Sequence, residues 1–300
     1  MVKNKNKLVK NKLAIFAHIF FIIFSIICII PFLLLVSISL SSEKDIIDGG
    51  FALIPKHFSL DAYKYVASDL SSIIRAYGVT AFYTVVGTAI SIILMAGVAY
   101  ALARKTFRYK NALTVFLLIT MLFSGGLTAS YIFNTQVYHL GDTIWIYLIN
   151  GSTVQAYTVF VFRTFFKSIP ESLIESATLD GASEFCLMRK IMLPLSMPVL
   201  ATFSFMGALS RWNDVQTSLY YISDSRLYTL QLLLQNILNQ AEYLNKLKAT
   251  MSIEIANTAA IPTETMKFAM CVIATGPMIF CFPFFQKYLA KGMVVGAVKG

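Results

Sequence analysis

The residues between Ser168 and Pro194 carry the most chemistry in this chain. They run Glu171-Ser-Leu-Ile-Glu175-Ser176-Ala177-Thr-Leu-Asp180-Gly181-Ala182 and close on Ile191-Met-Leu193-Pro194. Ser168-x-x-Glu171 reads as a capping box, with Pro170 tolerated in the first helical turn. The helix it starts places Leu173, Ile174 and Ala177 on one face and the carboxylates of Glu171 and Glu175 on another. Asp180-Gly181 ends that helix, because glycine supplies a chain reversal that residues with a Cβ resist. A second short helix runs through Phe185 to Ile191, and Pro194 and Pro198 predict a kink just beyond it. A short helix with an apolar face and an acidic edge is suited to a groove on a basic partner. An ordinary surface helix carries the same pattern of charge.

The elements that must hold this hairpin are apolar. Hydrophobic residues are 57% of the 300, while charged residues, at 13%, are about half the usual share of a soluble domain. Six runs meet or approach the roughly 20 residues that a helix needs to cross a bilayer. They lie at about 14–40, 76–103, 111–134, 143–165, 191–212 and 268–290. The expected fold is therefore all-α and integral to the membrane, with six transmembrane helices and the hairpin between the fourth and fifth. The net charge of +10 follows the same threading. With the N-terminus inside, the basic clusters at Lys3–Lys12, Arg104–Lys110, Arg163–Lys190 and Lys287–Lys299 all fall on one side. That is the positive-inside rule, so both termini and the hairpin are expected in the cytosol. The charge reports topology and calls for no nucleic acid.

The Lys-rich start fits a signal peptide, but the apolar run from Leu13 to Leu40 far exceeds an h-region of about 7–15 residues. It reads as a retained first span. The expected organisation is a cytosolic tail at 1–13, one six-helix membrane domain at 14–290 and a cytosolic tail at 291–300. The hairpin loop occupies 167–193, and outer loops occupy 41–74 and 213–264. Within the second outer loop, Leu227–Leu238 has the apolar spacing of an amphipathic surface helix. Gly87/Ser91 and Gly97/Ala101 read as close helix packing. Gly125-Gly126, at a cost of about 2 kcal/mol of helix propensity, predicts either a break or a close approach to a neighbouring helix. No Gly-x-x-x-x-Gly-Lys-Ser/Thr phosphate loop, His-Glu-x-x-His helix or Gly-x-Ser-x-Gly turn occurs. The three histidines are isolated and the four cysteines lack metal spacing, so the chain is expected to be no enzyme and to bind no metal.

The complete Glu-x-Ala, Gly and Ile-x-Leu-Pro pattern resembles the coupling loop of bacterial ABC importer permeases. Over nearly its whole length the chain is similar to the second, maltose-permease-like subunit of carbohydrate-uptake systems. Pro55…Phe58-Ser59-Leu60-Asp61…Tyr63, Ala99-Tyr100-Ala-Leu-Ala-Arg104, Trp212-Asn213-Asp214 and the end from Gln286 to Gly300 carry that resemblance. Met121-Leu-Phe-Ser-Gly125-Gly126-Leu127 resembles the oligosaccharide and polysaccharide branch. One departure is Ser176 where the family has alanine, a nearly isosteric change.

The resemblance implies a bacterial cytoplasmic-membrane protein and several partners. These are a sister permease, an ATP-binding subunit in two copies or equivalent, and an extracytoplasmic sugar-binding protein. ATP and Mg would reside on the ATPase, with no cofactor on this chain. Coupling to the ATPase falls to Glu171, Glu175, Ser176, Ala177, Asp180, Gly181, Ala182, Ile191, Leu193 and Pro194. Sugars are held by aromatic faces and by amide or carboxylate hydrogen bonds. Tyr131, Asn134, Gln155, Tyr157, Trp212, Asn213 and Asp214 are the candidates for that path, although helix packing accounts for Tyr131 and an interfacial belt for Trp212. An ion-coupled secondary transporter and a membrane scaffold are the alternatives. The first calls for an ionisable residue near the midplane, where the spans hold almost no charge.

Overall fold

The computed structural model describes residues 2–151, 154–250 and 262–297. Part of the expected outer loop (251–261), residues 152–153 within the expected fourth span and the last three residues of the family-like terminus lie outside them. Among the described residues all regular structure is helical. The chain opens with α1 (Val2–Ser39), α2 (Glu43–Gly49), α3 (Asp61–Val66), α4 (Leu70–Ala103) and α5 (Lys110–Leu122). It continues with α6 (Gly126–Ile132), α7 (Trp145–Gly151), α8 (Ala156–Lys167), α9 (Glu171–Leu179) and α10 (Glu184–Leu187). The last five are α11 (Leu193–Leu195), α12 (Met197–Trp212), α13 (Gln216–Tyr221), α14 (Leu230–Thr250) and α15 (Thr263–Ala297).

Three helical runs among the described residues are long and apolar enough to cross a bilayer: Ala14–Ser39, Asp61–Ala103 and Thr263–Gln286. Two further stretches qualify only as bent pairs, Lys110–Leu122 with Gly126–Val137 at 111° and Glu184–Leu195 with Met197–Trp212 at 80°. The first bend falls at Gly125-Gly126, where the paired glycines allowed a break. Gly126 sits at φ +75°, where a side chain is strained, and Phe123 is extended, so the helix cannot run through. The second bend falls at Ser196, between Pro194 and Pro198, as the proline pair predicts. The run expected as one span at 143–165 is two helices, α7 and α8.

The chain divides into two compact units. One comprises Met1–Leu70 and Asn236–Gly276. Here the segment after α1 is ordered by an isolated bridge between Ser41 and Phe58 and by a 2.9 Å hydrogen bond between Ser39 and Tyr63. The Glu43 carboxylate accepts bonds from the Glu264 and Thr265 backbone N–H groups, each 2.8 Å, and so caps the start of α15.

The other unit comprises Ser71–Gln235 and Pro277–Gly300. Its main core joins α4, α5, α8 and α12 through Ala99, Leu102, Leu117, Val159, Phe162, Phe166 and Leu200, all buried. A smaller aromatic core groups Tyr83, Tyr147, Tyr221 and Ile146. The hairpin of α9 and α10 projects from the first core, and a polar cavity lies beside the second.

Candidate functional site

The hairpin folds much as its local chemistry dictates, with one difference. Ser168 does not cap α9: its hydroxyl donates to the Phe165 carbonyl (2.7 Å) at the end of α8, and Pro170 stands at the N-cap. A serine hydroxyl within reach of its own helix carbonyls closes that helix in preference to opening the next. The Glu171 carboxylate is thereby free of any capping duty and pairs with Lys105, whose ammonium it holds above the usual lysine range. Ile174 packs on the main core. Asp180 ends α9 and Gly181 turns the chain at φ +81°, with its N–H donating to the Thr178 carbonyl (3.0 Å). Ala182 N–H returns to Ala177 (2.9 Å), and Ser183 caps α10 by accepting from Cys186 N–H (3.3 Å).

Two ion pairs fasten this hairpin to the end of α4. Arg104 donates two hydrogen bonds to Glu184, from Nε (3.0 Å) and Nη2 (2.9 Å), and Tyr100 donates to the same carboxylate. Lys105 supplies the second pair through Glu171. The tip is left open. Glu175 and Ser176 are exposed, and Glu175 has no ion pair among the described residues. Leu179 is 88% exposed and Phe185 67%. Ile191 and Leu193 are half-buried in the turn of π-helix and helix that leads to the kink, with Pro194 exposed there.

A cavity of about 440 Å³ lies at the other end of this unit. Asp214 lines it with Tyr83, Asn150, Gln216, Tyr220 and Tyr221. Asp214 accepts from the Tyr83 hydroxyl (2.9 Å) and from Thr217 N–H (3.1 Å), and so caps α13. Tyr131 stacks on Tyr221 with centroids 5.8 Å apart, and Asn134 donates to the Tyr221 hydroxyl (3.2 Å). The structure therefore groups Asp214, Tyr131 and Asn134. Of the seven candidates Asp214 alone lines the cavity; Tyr131 and Asn134 contact its lining residue Tyr221, and the other four stand elsewhere. Trp212 is buried against Tyr77, and Asn213 bonds Leu209 and Gln231. Tyr157 faces Phe203, while Gln155 stands exposed at the N-cap of α8.

Several residues at this end escaped sequence reasoning. Gln216, Tyr220 and Tyr221 follow Asp214 closely and share the same polar-aromatic chemistry, which was the available signal. Arg211 is the more telling omission, because a charge inside an apolar span is costly. It is buried at 9% exposure and donates to the Gly207 carbonyl (3.3 Å). A Cβ on Gly87 would meet its Nε at 3.0 Å, and one on Gly207 its Nη1 at 3.1 Å. Gly87 thus makes room for a guanidinium, beyond the helix packing that its spacing implied.

Known proteins match this architecture. The polygalacturonan/rhamnogalacturonan transport system permease protein YtcP of Bacillus subtilis (strain 168) is 36% identical over 283 residues, covering 94% of this chain and 96% of its own. Protein LplC of the same organism is 40% identical over 276 residues, covering 91% and 90%. Among solved structures, a bacterial ABC transporter involved in the import of the acidic polysaccharide alginate has a chain that superposes with a TM-score of 0.76. It is 28% identical and covers 92% of this chain and 96% of its own. Residues 93–295 match the model of the binding-protein-dependent transport system inner membrane component, a span that includes the hairpin and Asp214. The chain belongs to that family of ABC importer permeases.

Proposed function

We propose that this chain forms half of the translocation path of an ATP-driven importer for oligosaccharides, and that the α9–α10 hairpin transmits the work of a partner ATPase. The observation that carries this is the hairpin's construction. It is tied to α4 by two ion pairs and to the core by Ile174, yet presents Glu175, Leu179 and Phe185 uncovered. An apolar tip flanked by the exposed carboxylates of Glu175 and Asp180 fits a groove with a basic edge. Force applied there passes through Arg104–Glu184 and Lys105–Glu171 into α4, and through Ile174 into the packed helices around Phe162. The change of state follows only from the difference in ATPase affinity between the two arrangements of the permease.

In this reading the chain threads the bilayer six times, both termini and the 167–193 loop are cytosolic, and the segments at 41–74 and 213–264 face outward. A sister permease completes the path and an external binding protein delivers the sugar. ATP and Mg are held by the ATPase, and this chain supplies no group to hydrolysis. Asp214, Asn150 and Gln216 bond sugar hydroxyls, with Tyr220 offering a ring face. The relatives named for polygalacturonan and alginate support an oligomeric substrate. Affinity purification of the tagged chain in mild detergent, with mass spectrometry, tests the assembly. A sister permease and an ATPase in twofold excess are expected. The chain alone, or as a homodimer, under several gentle conditions would overturn the reading.

A further inference from the structure

A second feature of the hairpin's neighbourhood is a basic cavity, three of whose cations, Lys110, Arg163 and Lys167, take no part in force transmission. It measures about 290 Å³ and lies where α4 ends, α8 ends and α9 begins. Arg104, Lys105, Lys110, Arg163 and Lys167 line it, against the single carboxylate of Glu171. Arg104 and Lys105 are engaged by Glu184 and Glu171. Lys110, Arg163 and Lys167 have no ion pair among the described residues. Moreover, the Arg163 Nε is buried without a hydrogen-bond partner. A buried donor left unsatisfied costs free energy that a bound acceptor recovers.

An adjoining groove of about 480 Å³ shares Arg163 and Lys167 and continues between α5 and α8 past Leu118 and Phe160. One end of this combined site is cationic and the other apolar, running along two helices of the membrane core. Basic residues on a cytosolic face arise from topology alone. Topology does not account for their convergence on one concavity, an orphaned guanidinium N–H or the attached apolar groove.

We propose that this site binds a phosphate group carried by an anionic phospholipid. The headgroup lies among Lys110, Arg163 and Lys167, and an acyl chain follows the groove between α5 and α8. Basic pockets between membrane helices recognise such headgroups through charge-assisted hydrogen bonds. Because Glu171 lines the same cavity, a bound phosphate competes with it for Lys105, so lipid charge bears on one of the two pairs that hold the hairpin. The proposal rests on the coupling reading only for the side of the bilayer that the site faces.

The test is native mass spectrometry of the full chain, purified with its partner subunits. It is titrated with phosphatidylglycerol and, separately, phosphatidylcholine of the same acyl chains. Phosphatidylglycerol is expected to bind about tenfold tighter, the equivalent of one charge-assisted hydrogen bond. The double variant Lys110→Gln/Lys167→Gln should remove that preference. Arg163→Lys, which keeps the charge and loses the Nε donor, should remove part of it. Lys44→Gln/Lys64→Gln, an equal loss of exposed charge elsewhere, should leave it intact. Equal retention of the two lipids, or equal loss in both double variants, overturns the proposal. Binding of inorganic phosphate in place of any lipid preference overturns the lipid assignment. None of these readouts uses ATPase activity or transport. A complex that keeps the lipid preference but fails to couple refutes the hairpin reading alone.

Discussion

Replacing Gly181 isolates backbone conformation from side-chain contact, because a Cβ built there meets nothing within 4 Å. The residue sits at φ +81°. An L-residue with a Cβ is strained in that region by about 1–2 kcal/mol, and asparagine by less. Gly181→Ala should therefore weaken the docked shape of the hairpin by roughly 5- to 30-fold, and Gly181→Asn by a smaller factor. Gly181→Pro fixes φ near −65° and removes the N–H that bonds Thr178 at 3.0 Å, a loss of about 3 kcal/mol or more, which is over a hundredfold. The assay is the affinity of the purified ATPase for permease complexes in nanodiscs, alongside sugar uptake at matched membrane abundance. The expected order is Gly, Asn, Ala, Pro. If Ala and Asn fail equally, contact with the partner's surface decides and the strain argument is wrong. If Pro couples normally, the hairpin is no coupling element.

Other substitutions test the packing and the cavity. Gly87→Ala drives a methyl against the Arg211 side chain at 3.0–3.3 Å and should lower the detergent-solubilised Tm, at a cost of about 1–3 kcal/mol. Gly97→Ala, in the same helix with nothing within 4 Å, should hold or raise the Tm, with a gain in stability of up to about 1 kcal/mol; equal losses at both sites would refute the cradle. Glu184→Gln weakens the bonds from Arg104 and Tyr100. Because Glu184 is 56% exposed, solvent screening limits the loss to about 1 kcal/mol, read as a Tm that becomes less sensitive to salt. A Tyr83→Phe and Asp214→Asn double-mutant cycle on uptake should show a coupling of about 1 kcal/mol, and additivity would separate the two residues functionally.

The hairpin was largely legible because its determinants are local. Asp180-Gly181 required a reversal and the chain reverses there; Pro194 and Pro198 required a kink and the helix bends at Ser196. The capping box failed for an equally local reason: Ser168 closes α8 and α9 starts only at Glu171, behind Pro170, too late for the Ser168 oxygen to accept from its N–H groups. Sequence spacing placed Glu171 and Glu175 on one edge as equals. Only the packing of α9 beside the end of α4, which brings Lys105 to Glu171, gave Glu171 an ion pair and left Glu175 without one among the described residues. The cavity was less legible. Tyr83 reaches Asp214 across 131 residues and Asn134 reaches Tyr221 across 87, and no spacing rule connects them.

In a soluble helix the apolar stripe tells which side is buried. A span that faces lipid is apolar on every side, so periodicity does not distinguish core from surface, and helices associate by fit rather than by hydrophobic segregation. Apolar length, the charge asymmetry and the hairpin's turn are properties of consecutive residues, and the chain alone established them. The guanidinium seated between Gly87 and Gly207, the polar cavity at Asp214 and the basic cavity at Arg163 depend on which helices meet, and tertiary packing decided those.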